Sequence, residues 1–276
     1  MKTANLSTEE LAQHLRARSI DVSRKAGAAH VASCLSISEV LAVLFNDTLR
    51  GPHLPRPTAW DDRDRFILSK GQAAAAVYII LNYFGMLSDA ELSGFNMDGS
   101  PLIGQISHDV PGVEISTGSL GHGLPIGCGI ALAAKRDGRP SRVFVLVGDG
   151  ECNEGTIWES ALIGTQQGLD NLVVVLDNNG MMSMGQTDDV LSVMPLREKW
   201  EAFGWAVKEV EGHNVAELRA CLGQVPWQPG KPHCIIANTV KGKGVSFMEQ
   251  TVLWHYRVPE GDEFDAAMAE VRGDSS

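Results

Sequence analysis

The chain has 276 residues, 44% of them hydrophobic, enough for a sizeable core in one large domain or two small ones. Its formal charge of −11 argues against nucleic acid or an anionic membrane as a partner, and no run of about 18 apolar residues offers a transmembrane helix. Five cysteines (Cys34, Cys128, Cys152, Cys221 and Cys234) are odd in number and show no CxxC pairing, so buried reduced thiols in a cytoplasmic protein are expected.

Glu9 and Glu10 interrupt any apolar run near the start, so no signal peptide is expected. Three Ser-x-x-Glu patterns, Ser7 to Glu10, Ser36 to Glu39 and Ser88 to Glu91, read as capping boxes that open helices near 8–25, 37–49 and 89–95. Arg65 to Ser69 reads as a buried strand, followed by a helix from Gly71 to Gly85. A helix rich in small residues spans about Leu120 to Lys135 and leads into a strand, Arg142 to Val147. One helix later comes a second strand, Asn171 to Asp177. The alternation continues with a helix from Pro195 to Phe203, a strand from Trp205 to Val210, a helix from Val215 to Leu222 and a strand from His233 to Thr239. Such alternation implies an α/β fold, a parallel sheet with helices on both faces. With no internal repeat or long linker, residues 1–276 are expected to form a single domain, with about 261–276 a polar, flexible tail or a segment committed to a contact.

The most informative stretch is Val147-Gly148-Asp149-Gly150 with Asn178-Asn179 after the next strand. This layout puts Asp149 and Asn179 at the carboxyl ends of two parallel strands, where open α/β sheets bind ligands. A carboxylate and an amide oxygen are hard donors suited to Mg²⁺ or Ca²⁺, ions that keep phosphates and waters as their remaining ligands. Gly148 and Gly150 leave room for a diphosphate against the backbone. An ordinary Asp-Gly turn is the plain alternative for this motif taken alone.

With these elements in place the chain resembles the N-terminal, diphosphate-binding half of a transketolase, from about residue 7 to 260. The resemblance is carried by Asp64-Arg65-Phe66-Ile67-Leu68-Ser69-Lys70-Gly71, by Pro111-Gly112-Val113-Glu114 through Gly121, by Gly148-Asp149-Gly150-Glu151 through Gly155, and by Val240-Lys241-Gly242-Lys243-Gly244 through Phe247. It implies the thiamine-diphosphate-binding fold, with thiamine diphosphate held through Mg²⁺. Asp149, Asn179 and the carbonyl of Met181 would ligate the metal, and Gly150 would lie against the diphosphate. Gly118 and Leu120 match the loop that touches the aminopyrimidine. Glu154 matches an acidic residue at the subunit interface beside the cofactor. His30 occupies the place of a histidine in the family's Gly-His-Pro-Gly, and His255 matches another active-site histidine. Full-length transketolases carry a second domain, whose glutamate protonates the aminopyrimidine, and a third. The resemblance therefore implies half an enzyme: a dimer of this chain, completed to an α₂β₂ complex by a separate C-terminal subunit, with sugars or sugar phosphates as substrates.

Three positions depart from the family pattern. Gln72 stands where a histidine contacting the diphosphate is common, Gln105 where a histidine usually faces the donor's hydroxyls, and His122 where glutamine is common. Glutamine and histidine present nitrogen donors at similar reach, yet only histidine ionises near neutral pH. The departures are open to three readings: drift that preserves hydrogen bonding, an altered donor or acceptor, or lost catalysis. His30 also reads as a surface histidine and His255 as a packing partner of Trp254, if the motif is set aside. The Lys241 to Gly244 run reads either as a solvated loop or, by the resemblance, as a segment near the site entrance. His108, His213 and His233 have no context that assigns them a role. Two rivals to the transketolase reading are the α subunit of a 2-oxo-acid dehydrogenase and a non-catalytic binding subunit on the same fold.

Overall fold

The computed structural model describes residues 6–51 and 63–273. Among the described residues five strands, β1 (Arg65–Leu68), β2 (Val143–Gly148), β3 (Leu172–Asn178), β4 (Ala206–Glu211) and β5 (His233–Asn238), form one sheet in the order β1-β2-β3-β5-β4. Every pairing is parallel. The helices are α1 (Thr8–Ala26), α2 (Val31–Leu35), α3 (Ser38–Val43), α4 (Ala74–Tyr83), α5 (Asp89–Ser93), α6 (Gly123–Arg136), α7 (Gly155–Gln166), α8 (Thr187–Leu191), α9 (Leu196–Ala202), α10 (Val215–Leu222) and α11 (Asp262–Arg272).

Side chains alternate across a strand, and the two cores record that period of two. Phe144, Leu146, Val173, Val175, Ile235 and Ala237 point to the layer of α1, α3, α4 and α10. Val143, Val145, Val147, Leu172, Val174, Leu176, Cys234 and Ile236 point to the opposite layer, with Leu124 of α6, Ile157 of α7 and Trp200 of α9. Both faces are covered, which is why the central strands read as unbroken aliphatic runs. Each such Val, Leu or Ile side chain contributes roughly 1.5–3 kcal/mol of burial. All five cysteines are buried and unpaired.

Polar anchors set the strand register at the amino ends. The Asp64 carboxylate accepts from the Arg142 backbone N–H at 2.8 Å and from the Arg142 and Arg50 guanidiniums at 2.6 and 2.8 Å, tying the start of β1 to the start of β2. Burial alone would raise its pKa, but the hydrogen bonds from Arg50 and Arg142 hold it below the ordinary carboxylate value. Glu114 pairs with Arg63 and lies 3.9 Å from Arg65. Two of the blocks that carry the resemblance thus hold structural ion pairs.

Four expectations need correction. The Ser7 and Ser88 capping boxes are formed, but Ser36 caps nothing: its hydroxyl donates to Asp177 at 2.9 Å. Glu39 instead pairs with Arg16 and with His213 at 2.9 Å. The helix expected over 37–49 is divided into α3 and a wide turn over Leu44–Thr48. The helix after β1 opens with a tight 3₁₀ turn, Gly71–Ala73, before α4. In place of a flexible tail, 262–272 form α11, whose Ala267, Met268 and Val271 pack with Ile20, Trp254 and Met248 in a third core. Residues 274–276 of the expected tail lie outside the described residues. Among the described residues no helix is long and apolar enough to cross a membrane.

Candidate active site

The carboxyl ends of β2 and β3 are joined through Asp149. Its Oδ1 accepts from the Gly150 N–H at 2.8 Å, and its Oδ2 accepts from the Gly180 N–H at 2.8 Å and the Thr187 hydroxyl at 2.9 Å. Gly180 and Thr187 belong to the loop after β3 and the start of α8, so a single carboxylate spans both strand ends. Burial and then the charge of Asp177 push its carboxyl up to about 6. Asn179 directs its Nδ2 to Asp177 at 2.8 Å, while its Oδ1 accepts from the Met181 N–H at 3.0 Å.

Two further buried carboxylates frame this pair. Asp177 is fully buried and accepts from Ser36, Lys70, Thr239 and Asn179. Burial would raise its pKa, but the Lys70 ammonium beside it holds it below the ordinary value. Glu151 gathers three loops, accepting from the Ser69 hydroxyl, the Gly121 N–H at 2.8 Å and the Gly148 N–H at 3.0 Å. Gly121 is required there: at φ +83° a Cβ would collide with Thr156 and with Glu154.

A cleft of 440 Å³ opens over these loops. His30, Gln72, Gln105, Gly118, Leu120, Asp149, Gly150, Glu154, Asn179, Met181 and His255 all line it, so the structure brings together every site residue read from the sequence. His30 sits in the left-handed region at φ +72°, an unusual place for a non-glycine residue, and its N–H donates to the His255 carbonyl at 3.0 Å. The two imidazoles meet edge to face with centroids 4.9 Å apart. Burial and then Lys241 lower the pKa of His30, and the same causes lower that of His255 to about 3, so both rings are neutral at pH 7. Gln105 packs its Oε1 against Gly118, where it is buried without a hydrogen-bond partner. His122 is exposed and lies outside the cleft lining, its Nδ1 3.2 Å from the Leu120 carbonyl.

Sequence reasoning assigns no role to four polar residues that organise the site. Lys70 and Lys241 line the cleft and are almost completely buried. Lys241 therefore does not belong to a solvated loop. Its Nζ contacts the Met182 carbonyl at 3.2 Å, the Met181 carbonyl at 3.4 Å and His255 Nδ1 at 2.9 Å. Burial, then Lys70, lowers its pKa to about 8. Asp177 and Glu151 are the other two; each adjoins a glycine-rich or asparagine-rich motif, yet nothing local distinguishes them from surface carboxylates. His213, also without a role from sequence, bridges Glu39 and the Val240 N–H. His233 is core, packed on Trp227 at 4.3 Å.

The residues fit a divalent cation and a diphosphate. Two buried carboxylates, Asp149 and Asp177, lie at adjacent strand ends, and the lysine pairs with Asp177, so Asp149 has a charge deficit that a cation would fill. Among the described residues there is no group of three His, Cys, Asp or Glu for a metal. The available donors are one carboxylate, one amide oxygen and one backbone carbonyl, a hard set that needs phosphate oxygens or water to complete it. Gly150 lines the cleft, and a Cβ there would stand 3.0 Å from Met182 Cγ, so the position is tight for any larger residue.

Residues 7–268 match the family described as "Transketolase, thiamine diphosphate binding domain". The chain is 40% identical over 257 residues to one subunit of the apulose-4-phosphate transketolase of Phocaeicola vulgatus, covering 93% of this chain and 90% of that one. It is 36% identical to the 6-deoxy-6-sulfo-D-fructose transketolase subunit of a Clostridium species, covering 98% of each. The crystal structure of a Campylobacter jejuni transketolase superposes with a TM-score of 0.87 at 28% identity, covering 98% of this chain but 43% of that enzyme. The chain thus spans less than half of the solved transketolase and nearly all of the two relatives named as subunits. A parallel sheet with Asp149 and Asn179 at its strand ends, together with a match over residues 7–268, places this chain in the transketolase thiamine-diphosphate-binding domain family.

Proposed function

We propose that this chain is the cofactor-binding subunit of a thiamine-diphosphate-dependent transketolase, which moves a two-carbon ketol unit from a ketose or ketose phosphate to an aldose. The observation that carries the reading is one cleft in which Asp149, Asn179 and the Met181 carbonyl share walls with His30, His255 and Gln105.

Asp149, Asn179 and Met181 would hold Mg²⁺ or Ca²⁺, and Gly150 and Gln72 would face the diphosphate. Gly118 and Leu120 would support the aminopyrimidine, with Glu154 beside it. When bound, the cofactor supplies the carbanion chemistry, while the protein supplies shape, charge and proton partners. His30 and His255, neutral at pH 7, would hydrogen-bond and exchange protons with oxygens of the donor sugar. Gln105, which lines the cleft, would bind donor hydroxyls through its amide. Removal of water from the cleft would strengthen each of these contacts.

A partner chain belongs to this function. Two relatives named as transketolase subunits are matched over nearly their full length, which supports a second subunit; the proposed assembly is an α₂β₂ complex in the cytoplasm, with the C-terminal half supplied by a separate chain. Those relatives are named for apulose-4-phosphate and for 6-deoxy-6-sulfo-D-fructose, so modified ketoses belong to the candidate set. The test is ketol transfer by the reconstituted pair with thiamine diphosphate and Mg²⁺ over a panel of ketoses. Turnover of 2-oxo acids with a lipoyl acceptor, and of no ketose, would overturn it.

A further inference from the structure

We propose that Lys241 is a positioning residue that fixes the tautomer of His255 and thereby makes this imidazole a hydrogen-bond donor, through Nε2, to an oxygen of the bound sugar. The sugar rests on the ketol-transfer reading above; the tautomer does not.

A lysine ammonium has three donors and no acceptor, and three groups surround Nζ of Lys241: the carbonyls of Met181 and Met182 and Nδ1 of His255. The carbonyls can only accept. The third N–H is directed at His255 Nδ1, 2.9 Å away, and that nitrogen must then present its lone pair. The proton of the neutral ring is placed on Nε2. Nε2 has no hydrogen-bond partner among the described residues, and the ring lines the cleft beside His30. His30 is held against it by its own N–H to the His255 carbonyl, so the pair is fixed in position as well as in protonation.

Lys241 is well placed to hold this state because it is almost completely buried and anchored on both sides. The preceding residue, Val240, donates its N–H to His213 Nε2 at 2.8 Å, and the Lys241 carbonyl accepts from the Gln250 N–H at 3.0 Å. The ammonium therefore cannot swing to solvent without opening the loop. A histidine so oriented offers a hydrogen bond to an oxygen with a free lone pair, such as a ketose carbonyl. It does not serve as the base that first removes a proton from the sugar.

The tautomer is read by long-range ¹⁵N–¹H NMR of the labelled lone chain at pH 7, with His255 assigned by comparison with His255→Asn. The wild-type spectrum is expected to show protonated Nε2 and unprotonated Nδ1. Lys241→Met, which keeps the aliphatic stem, is expected to shift the ring to a mixture of tautomers. Lys241→Arg, which keeps a donor, is expected to restore the wild-type pattern. In the reconstituted complex Lys241→Met should lower kcat by about 10- to 100-fold with a smaller change in the donor KM.

Protonated Nδ1 in the wild type, or a Lys241→Met spectrum identical to it, would overturn the proposal. The wild-type measurement decides even where the variant does not fold. A wild-type complex without ketol transfer would overturn the transketolase reading and remove the sugar as acceptor, while the spectrum would still decide the role of Lys241.

Discussion

Asn179 donates its side-chain amide to Asp177 at 2.8 Å, and this one bond determines which end of the amide is left for a metal. With Nδ2 held by the buried carboxylate, Oδ1 stays on the side of the Met181 N–H and of the loop that closes over Asp149. Asp177 thus connects the Lys70 ion pair beneath the cleft to the orientation of a proposed metal ligand above it.

Replacing Asp177 by asparagine should therefore act at two levels. Lys70 would be left buried without a charge partner, and breaking such a pair costs about 3–5 kcal/mol of stability. The Asn179 amide would lose its fixed orientation, and affinity for thiamine diphosphate with Mg²⁺ should fall by about 10- to 100-fold. Urea denaturation reads the first effect and calorimetric titration the second. Unaltered cofactor affinity in a folded variant would separate Asp177 from the metal site.

Asp149→Ala is expected to behave differently. The carboxylate spans two loops but pairs with no lysine, so its removal should abolish Mg²⁺-dependent cofactor binding while the fold persists. Titration of the variant with cofactor and Mg²⁺, alongside its circular dichroism spectrum, checks this. Wild-type affinity would contradict the metal assignment.

How far the sequence discloses this site depends on the range of the interactions. Asp149, Asn179 and the strands that carry them follow from local pattern, because a buried parallel strand is an unbroken aliphatic run and its end is marked by Gly-Asp-Gly or Asn-Asn. Lys241 reads equally well as part of a solvated loop, because its neighbours in sequence are Gly242, Lys243 and Gly244 while its partners are Met181, Met182 and His255. Ser36 shows the same limit. Ser36 to Glu39 satisfies the capping-box spacing, yet tertiary partners claim both side chains: Asp177 takes the hydroxyl, and Arg16 and His213 take the carboxylate. Helix α11 reads as a tail because it is acidic on its outer face, although Ala267, Met268 and Val271 recur at helical spacing on the other.

His233 should shape the acid limb of stability. It is fully buried, its Nε2 accepts from the Gln228 N–H at 3.3 Å, its Nδ1 has no partner, and burial lowers its pKa from 6.5 to about 4. The unfolded chain then binds more protons than the folded one between these values. The contribution is complete well above pH 6.5 and is lost as pH falls from 6.5 toward 4, by about 2.5 kcal/mol at pH 4.5. Urea unfolding of wild type and His233→Gln from pH 7 to 4.5 should show a shallower decline in the variant. Parallel curves would contradict this assignment.

Gln105→His is expected to move donor preference toward ordinary ketose phosphates, because it replaces an acceptor oxygen against Gly118 with the ring that the family more commonly places there. The comparison is kcat/KM over a panel of ketoses for the two reconstituted enzymes. An identical ranking would show that position 105 does not set specificity.

Assembly should depend on the face beside Glu154. This residue lines the cleft and immediately precedes α7, and on that helix Leu162 and Ile163 are 59% and 51% exposed, with Ile126 of the adjacent α6 41% exposed. Exposed large apolar side chains on neighbouring helices mark association, and α7 starts beside the cleft residue Glu154. A second copy of this chain on that face would bring two clefts near one interface, each still open for a C-terminal subunit. The lone chain should therefore elute as a dimer in size-exclusion chromatography with light scattering, and as an α₂β₂ heterotetramer once that subunit is mixed in. Leu162→Glu should weaken the dimer by placing a charge in an apolar contact. Ketol transfer should be absent from the lone chain at any cofactor concentration and should arise on mixing. Robust transfer by the purified lone chain would refute the two-subunit arrangement, and a monomer unaffected by Leu162→Glu would remove this face from the dimer.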